Sequence, residues 1–511
     1  MADATDAGGA RPVAIAWRNG RIERIARVSR EDADALIAGG ALDCRDQFAV
    51  PGFVDAHIHL TLASTGLSKV DLSGCASRVG FESRIAAGAA SLQPGEWLEA
   101  QGWDEASWGG AMPDSSWLRI AGDRPAVAYR TDIHACVVND VLLTQLRREG
   151  ALEADPPGGT IVRDASGAPT GLLLEQAAWQ IVNPRVPVPD ATRRQAALLL
   201  GISQLLGYGV TAVGSMEYAR DVREALLPIA QLPVPMPTIS VTLLDRTLPL
   251  DLSVASEFAV DGRLRVIGAK SFADGTLGSR TAAMLEPYAG ARSCGSLIEH
   301  AHDGTLAEWM RQVAAAGLSP SVHAIGDAAV RATLDAADAA GIPRSILRIE
   351  HVQTLADADV PRLAGAFASM QPLHAASDMP YAEERLGPGR TRLLFRYADI
   401  ARAGATLAFG SDWPVVAPDP MRAMRSAITG RANDGQVYAH SPVSPEEALI
   451  AHTEGAARCL GLWPDCGSLA PGARADIALL DSDPLRCDWD ELPPRVRGLI
   501  LGGEPWLRGR A

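Results

Sequence analysis

Short apolar runs that end in a polar side chain recur along this chain, at Pro51 to Leu60, Arg265 to Lys270, Ser319 to His323, Leu347 to His351 and Ala405 to Asp412. Each has the length and apolar content of a buried strand. Side chains alternate faces along a strand, so His57 and His59 point the same way, close enough to share one cation. Two histidines on an ordinary polar strand face would look the same in isolation; the later runs separate the readings. Strands that each deliver a polar residue at the carboxyl end are the signature of a parallel (β/α)8 barrel, whose functional side chains meet at one mouth. Helical runs such as Arg193 to Leu206 and Ala328 to Ala340 suit its outer helices.

Toward the amino terminus, Val13 to Trp17 and Ile22 to Ile25 flank Asn19-Gly20, the dipeptide of a tight type I′ hairpin. Two further strands are predicted at Ala475 to Asp481 and Val496 to Leu501. Between His59 and the next predicted barrel strands, Ala126 to Tyr129 and Thr211 to Gly214, lies far more chain than one βα unit needs. Residues from about 65 to 205 carry Gly and Pro clusters and several tryptophans, which predicts a loop-rich insertion near the barrel mouth. Loops there set specificity. Trp103, Trp108 and Trp117 point to an apolar or aromatic substrate or, equally, to a core within the insertion.

Composition narrows the class without choosing it. With 511 residues, 47% hydrophobic and 21% charged, the chain has the make-up of a soluble globular protein of one barrel and a smaller domain. A formal net charge of -14 argues against nucleic acid or an anionic membrane as partner, since both select basic surfaces. Met1 to Gly9 has no apolar core, so no signal peptide is expected, and no apolar run is long enough to span a bilayer. Seven scattered cysteines without a C-x-x-C pair fit reduced thiols and cytoplasmic residence. The expected partner is a small-molecule substrate, and a homodimer is the commonest assembly for such a protein.

Lysine usage is more pointed. Of the 47 Lys and Arg residues only Lys69 and Lys270 are lysines, so nearly every position where positive charge sufficed is arginine. Lys270 closes a predicted strand, where a neutral amine can add carbon dioxide to become an anionic carbamate, a reaction closed to a guanidinium that stays protonated.

Together the segments 51–60 (PGFVDAHIHL), 102–108 (GWDEASW), 268–282 (GAKSFADGTLGSRTA), 322–330 (VHAIGDAAV), 348–353 (RIEHVQ), 369–380 (SMQPLHAASDMP), 410–415 (GSDWPV) and 467–481 (GSLAPGARADIALLD) resemble the amidohydrolase superfamily, and within it the YtcJ-like metal-dependent hydrolases of amidohydrolase family 3. The resemblance runs nearly end to end. It implies a TIM barrel over residues 51–460 and a small β-sandwich built from residues 1–50 and 461–511. It also implies a site with His57 and His59 on one metal, His323 and His351 on a second, carboxylated Lys270 bridging, and Asp412 completing the first shell. Zinc is the first expectation for such ligands, with manganese, iron or cobalt also accommodated. In that scheme a metal-bridging hydroxide attacks a non-peptide carbon–nitrogen bond, in an amide, an N-formyl or N-acyl amine or a cyclic amide, and Asp412 carries the proton to the leaving group.

Other positions keep two readings. His374 ends the predicted seventh strand and can bond substrate or oxyanion, or serve structure. Trp103, His134, Asp274, Arg280 and Asp378 lie in family-like blocks and are candidates for the pocket. His300, His302, His440 and His452 are expected at surfaces or helix ends, and Asp327 as a helix cap. Two alternatives compete with the binuclear hydrolase. One is a mononuclear deaminase-type site, with His57, His59, His323 and Asp412 on one metal and His351 as acid–base residue. The other is a metal-binding barrel without activity.

Overall fold

Eight strands, buried along most of their length, form one parallel sheet in sequence order: Phe53–Ile58, Val210–Glu217, Thr238–Leu243, Leu264–Phe272, Ser319–Ala324, Arg348–His351, Phe367–Met370 and Thr406–Phe409. In this computed structural model residues 12–506 are described, apart from 94, 188, 433–434 and 438–440. All six residues of the first strand and all eight of the second are buried, as expected when helices cover one face of a sheet and a barrel core the other. The barrel closes beyond the end of the eighth strand, where Asp412 N donates to His57 O at 2.6 Å and His59 N to Trp413 O at 2.9 Å. Asp55 pins this seam from within, its Oδ1 accepting from His57 N and Ser411 N. Only glycine fits at Gly410, because a Cβ there would lie 2.6 Å from His57 N.

The outer helix Ala191–Gly207 shows how local sequence builds the layer around the sheet. Asp190 caps it by accepting from Arg193 N, and Leu198, Ile202, Leu205 and Leu206 form its buried stripe at helical spacing. At the amino-terminal end of the strands, Leu460 plugs the barrel with no exposed surface. Its carbonyl accepts from Arg265 Nη2 at 2.7 Å and Ser240 Oγ at 3.4 Å.

The insertion departs from the expectation drawn from its composition. It carries a six-stranded sheet in the order Val70–Asp71, Leu98–Trp103, Ala126–Arg130, Ala135–Val138, Pro169–Glu175, Gly159–Arg163. Ala126 to Tyr129 is thus a strand of this sheet and not of the barrel. Its alternation serves two cores, Ala126 and Ala128 packing with Phe81 and Trp117, Val127 and Tyr129 with Leu142 and Leu173. The period-2 pattern is the same in any two-faced sheet, so it could not say which sheet the strand joins.

Described segments from the amino- and carboxyl-terminal parts of the chain meet in a β-sandwich. Phe48–Pro51 pairs antiparallel with Ile477–Leu480, which continues through Val496–Leu501 to Glu504–Trp506. The hairpin of Val13–Arg18 and Arg21–Arg27 turns through Asn19 and Gly20, both at positive φ, and lays Ile15 and Trp17 on Ile477, Leu479 and Ile500. No helix among the described residues is long and apolar enough to cross a membrane.

Candidate metal centre

His57 and His59 leave the first strand on the same side, as alternation requires, and the chain turns at once into the helix Leu60–Gly66. Two second-strand side chains hold that turn: Ser215 Oγ accepts from Leu60 N, and Glu217 Oε1 from Thr61 N, both at 3.0 Å. His57, His351 and Asp412 come together so closely that one ligand atom from each lies within 4.8 Å of the others, and all three are buried. Asp412 Oδ1 is 3.3 Å from His57 Nε2 and 3.2 Å from His59 Nε2, and Oδ2 is 3.8 Å from His374 Nε2. The His323 ring packs 4.4 Å from His351, with its Nε2 3.1 Å from Gly275 O. One histidine from each of the two expected metal shells therefore shares the cluster with Asp412, while His59 and His323 flank it.

Buried partners set the orientation of the rings. Glu350, wholly buried, binds His57 Nδ1 at 2.7 Å and is itself held by Ser321 Oγ at 2.5 Å and Arg348 Nη2 at 3.0 Å. Gln371 Oε1 lies 2.8 Å from His351 Nδ1. Each contact leaves Nε2 as the free ring nitrogen, the arrangement of a metal-ligating histidine. Sequence reading missed both Glu350 and Gln371. Neighbours on a strand face opposite ways, so Glu350 and His351 should not both approach His57. They do because His351 and Val352 adopt positive φ, at 74° and 43°, and swing the strand end round. Asp412 is likewise at φ 59°. Non-glycine residues in this region are strained, and such strain collects at functional sites.

The electrostatics favour ligand-ready protonation states. Burial pushes His57 down to about 4, and burial holds His323 and His351 well below the usual histidine range, against the pull of the Asp412 carboxylate on His351, leaving neutral imidazoles. Burial alone would raise Asp412, but the histidines around it hold it well below the ordinary carboxylate value, so it is an anion. His57 Nε2 is buried and makes no hydrogen bond, a cost that a cation would relieve. The donor set thus fits a divalent metal. Lys270 is 1% exposed, its Nζ 4.7 Å from the Phe272 ring centre. Burial lowers it to about 8, against the pull of Glu350 and Asp412, which leaves a share of neutral amine near pH 7.

Of the candidate pocket residues, His134 approaches the centre from the insertion, its ring 5.9 Å from His323 and edge-on to Trp179 at 4.8 Å. His374 stacks 5.9 Å from His351. Trp103 is a correction: it has no exposed surface, donates Nε1 to Ala128 O, and packs with Trp108 and Trp117 in the insertion's own core. The aromatic residues near the centre are instead Trp179 and Phe272, which sequence reading passed over. Asp274 is also corrected. It is fully buried, with its carboxylate taken up by Ala283 N, Ile325 N and Gly326 N, so it ties loops together below His323. Arg280 pairs with Glu384, and Asp378 accepts from Gln353 Nε2 and Tyr381 Oη. Asp327 is not the cap of its helix: Gly326 holds that position, and Asp327 accepts from Leu285 N. His452 is buried against Phe409 rather than at a surface, His300 bonds Arg246 O and Thr305 within a short helix that also carries His302, and His440 lies outside the described residues.

A family model described as "Amidohydrolase family" matches residues 40–506. The putative amidohydrolase YtcJ of Bacillus subtilis (strain 168) is 31% identical over 481 residues, which cover 89% of this chain and 88% of that protein. An N-substituted formamide deformylase from Arthrobacter pascens is 25% identical over 522 residues, covering 94% and 92%. Among solved structures, an uncharacterized metal-dependent hydrolase from Pyrococcus horikoshii OT3 superposes with a TM-score of 0.72 at 26% identity, covering 93% of this chain and 94% of that one.

Proposed function

Since the chain belongs to the amidohydrolase family, we propose that this hydrolase cleaves a non-peptide carbon–nitrogen bond, with N-formyl and N-acyl amines as the first class to test. The observation that carries the reading is the convergence of His57, His351 and Asp412 on one point, with neutral imidazoles and an ionised carboxylate. The named activity of the Arthrobacter relative supports the N-formyl class. His57, His59, His323, His351, Lys270 and Asp412 are the residues that would hold divalent cations, zinc before manganese, iron or cobalt. Bound there, such ions supply a water acidic enough to ionise near neutrality and polarise a carbonyl.

The rest belongs to the chain. Asp412, anionic and touching His57, His59 and His374, is placed to take a proton and return it to the departing amine. His374 Nε2, buried without a hydrogen bond, is available to the substrate oxygen. The neutral form of Lys270 attacks carbon dioxide, forming an N–C bond and losing a proton, to give an anionic carbamate. The seven free cysteines suit a reducing cytoplasm; a homodimer and a small-molecule substrate complete the reading.

Elemental analysis of protein purified without chelator and with bicarbonate present, alongside the mass of the Lys270 peptide under non-acidic conditions, tests it. Two metals per chain and a labile carbon-dioxide adduct support the binuclear hydrolase, confirmed by turnover of N-formyl and N-acyl amines. One metal and a bare lysine favour the mononuclear deaminase-type site. Metal without turnover of any amide or amine substrate points to an inactive barrel.

A further inference from the structure

We infer that the insertion completes the catalytic centre: His134, oriented by Glu175, contacts the scissile amide of the substrate. This rests on the hydrolase reading above.

His134 does not belong to the barrel. It immediately precedes the insertion strand Ala135–Val138, yet its ring lies at the end of an arc of imidazoles that runs from His374 through His351 and His323, with centres 5.9, 4.4 and 5.9 Å apart. Its Nδ1 is bound to Glu175 Oε2 at 2.7 Å, and the other oxygen of Glu175 accepts from Thr281 Oγ1 at 2.6 Å. Thr281 follows the fourth barrel strand, so one hydrogen-bonded chain crosses from insertion to barrel and ends on a ring beside the metal ligands. With Nδ1 committed, Nε2 is the atom left for a ligand.

Backbone strain marks the same place. Nine described non-glycine residues have positive φ; His351, Val352 and Asp412 build the metal cluster, and Ile133 (58°), Glu175 (51°) and Arg280 (56°) flank or belong to the His134–Glu175–Thr281 chain. A β-branched residue such as Ile133 is especially unfavourable there. Strain of this kind clusters at functional sites, and here it flanks the one insertion ring that lies beside His323. The wall beside His134 sets the substrate class. Trp179 and Phe272, each only partly buried, lie 6.2 Å apart, with Phe272 5.1 Å from His323. They fit an apolar, planar substituent next to the amide.

Benzohydroxamate, which carries an amide-like group and a phenyl ring, is the probe. Its affinity for metal-loaded wild-type protein and for the His134→Gln, His134→Ala and Glu175→Gln variants is measured by calorimetry, with metal content and thermal midpoint for each. We expect both His134 variants to weaken binding by about tenfold or more, and Glu175→Gln by less, with metal content kept. Wild-type affinity in folded, metal-loaded His134→Gln overturns the inference, as does failure of metal-loaded wild type to bind the probe. If His134→Ala does not fold, His134→Gln and Glu175→Gln still decide. Binding that depends on His134 without hydrolysis of any N-formyl or N-acyl amine leaves this inference standing and removes the reaction class instead.

Discussion

Glu350 of the sixth barrel strand grips His57 of the first across the barrel interior, at 2.7 Å between two side chains with no exposed surface. Arg348 and Ser321 hold the carboxylate in turn, and Glu350 stays well below the ordinary carboxylate range although burial opposes this, because Arg348 and His57 outweigh it. The imidazole is thereby locked with Nε2 toward the cluster. A candidate metal ligand is oriented here by a residue outside the His57–His351–Asp412 cluster.

Glu350→Gln is therefore expected to lower metal affinity by about 10- to 100-fold, because the amide cannot support His57 as the carboxylate does and leaves Arg348 buried without its anion. Competition with a chromogenic chelator reads the affinity. Affinity equal to wild type would remove Glu350 from the site.

Asp412→Asn tests the proton carrier. His57, His59, His323, His351 and Lys270 remain as candidate ligands, so metal content should stay largely intact while kcat falls by about 10²–10⁴-fold. Near-normal turnover would sink the role.

For Lys270, replacement by Arg keeps the charge but removes the amine chemistry. The expected outcome is loss of one metal per chain and of the carbon-dioxide adduct in wild-type peptide mass, with added bicarbonate restoring neither in the variant. Two metals retained in Lys270→Arg would show that no carbamate is needed.

Glu217 makes a pH signature. Burial raises its carboxyl to about 7, although Ser215 and the Thr61 amide favour the anion, whereas the unfolded value is about 4.3. The folded state binds the extra proton between these values, so stability contributed by this group is present at low pH and declines as pH rises from about 4.3 to 7, by about 4 kcal/mol in all. Glu217→Gln mimics the neutral acid, and denaturant titrations across this range should show a shallower decline than wild type. Parallel curves would disprove the shift.

Much of the barrel was legible because strand alternation and burial are local properties. The apolar runs ending at His57, Lys270, His323, His351 and Asp412 correspond to first, fourth, fifth, sixth and eighth barrel strands or the turn just beyond them, and the Asn19-Gly20 turn follows from the φ each residue tolerates. Ala126 to Tyr129 was misplaced because alternation says that a strand has two covered faces and not which sheet covers them. Trp103 stayed open between substrate and insertion core for a related reason: an aromatic residue near the mouth in sequence carries no record of which side of the insertion's sheet it occupies, and the structure places it in the core.

What the amino-acid order indicated by itself was most of the barrel strands, the candidate ligand types at their ends and the rarity of lysine, each a matter of local spacing and residue chemistry. Only the tertiary structure decided that Glu350 supports His57, that Gln371 supports His351, and that His134 reaches His323 from the insertion. Those relationships join residues 20 to 293 positions apart or depend on positive φ at His351, Ile133 and Glu175. Closing the barrel and docking the inserted sheet impose that geometry, and no local pattern encodes it.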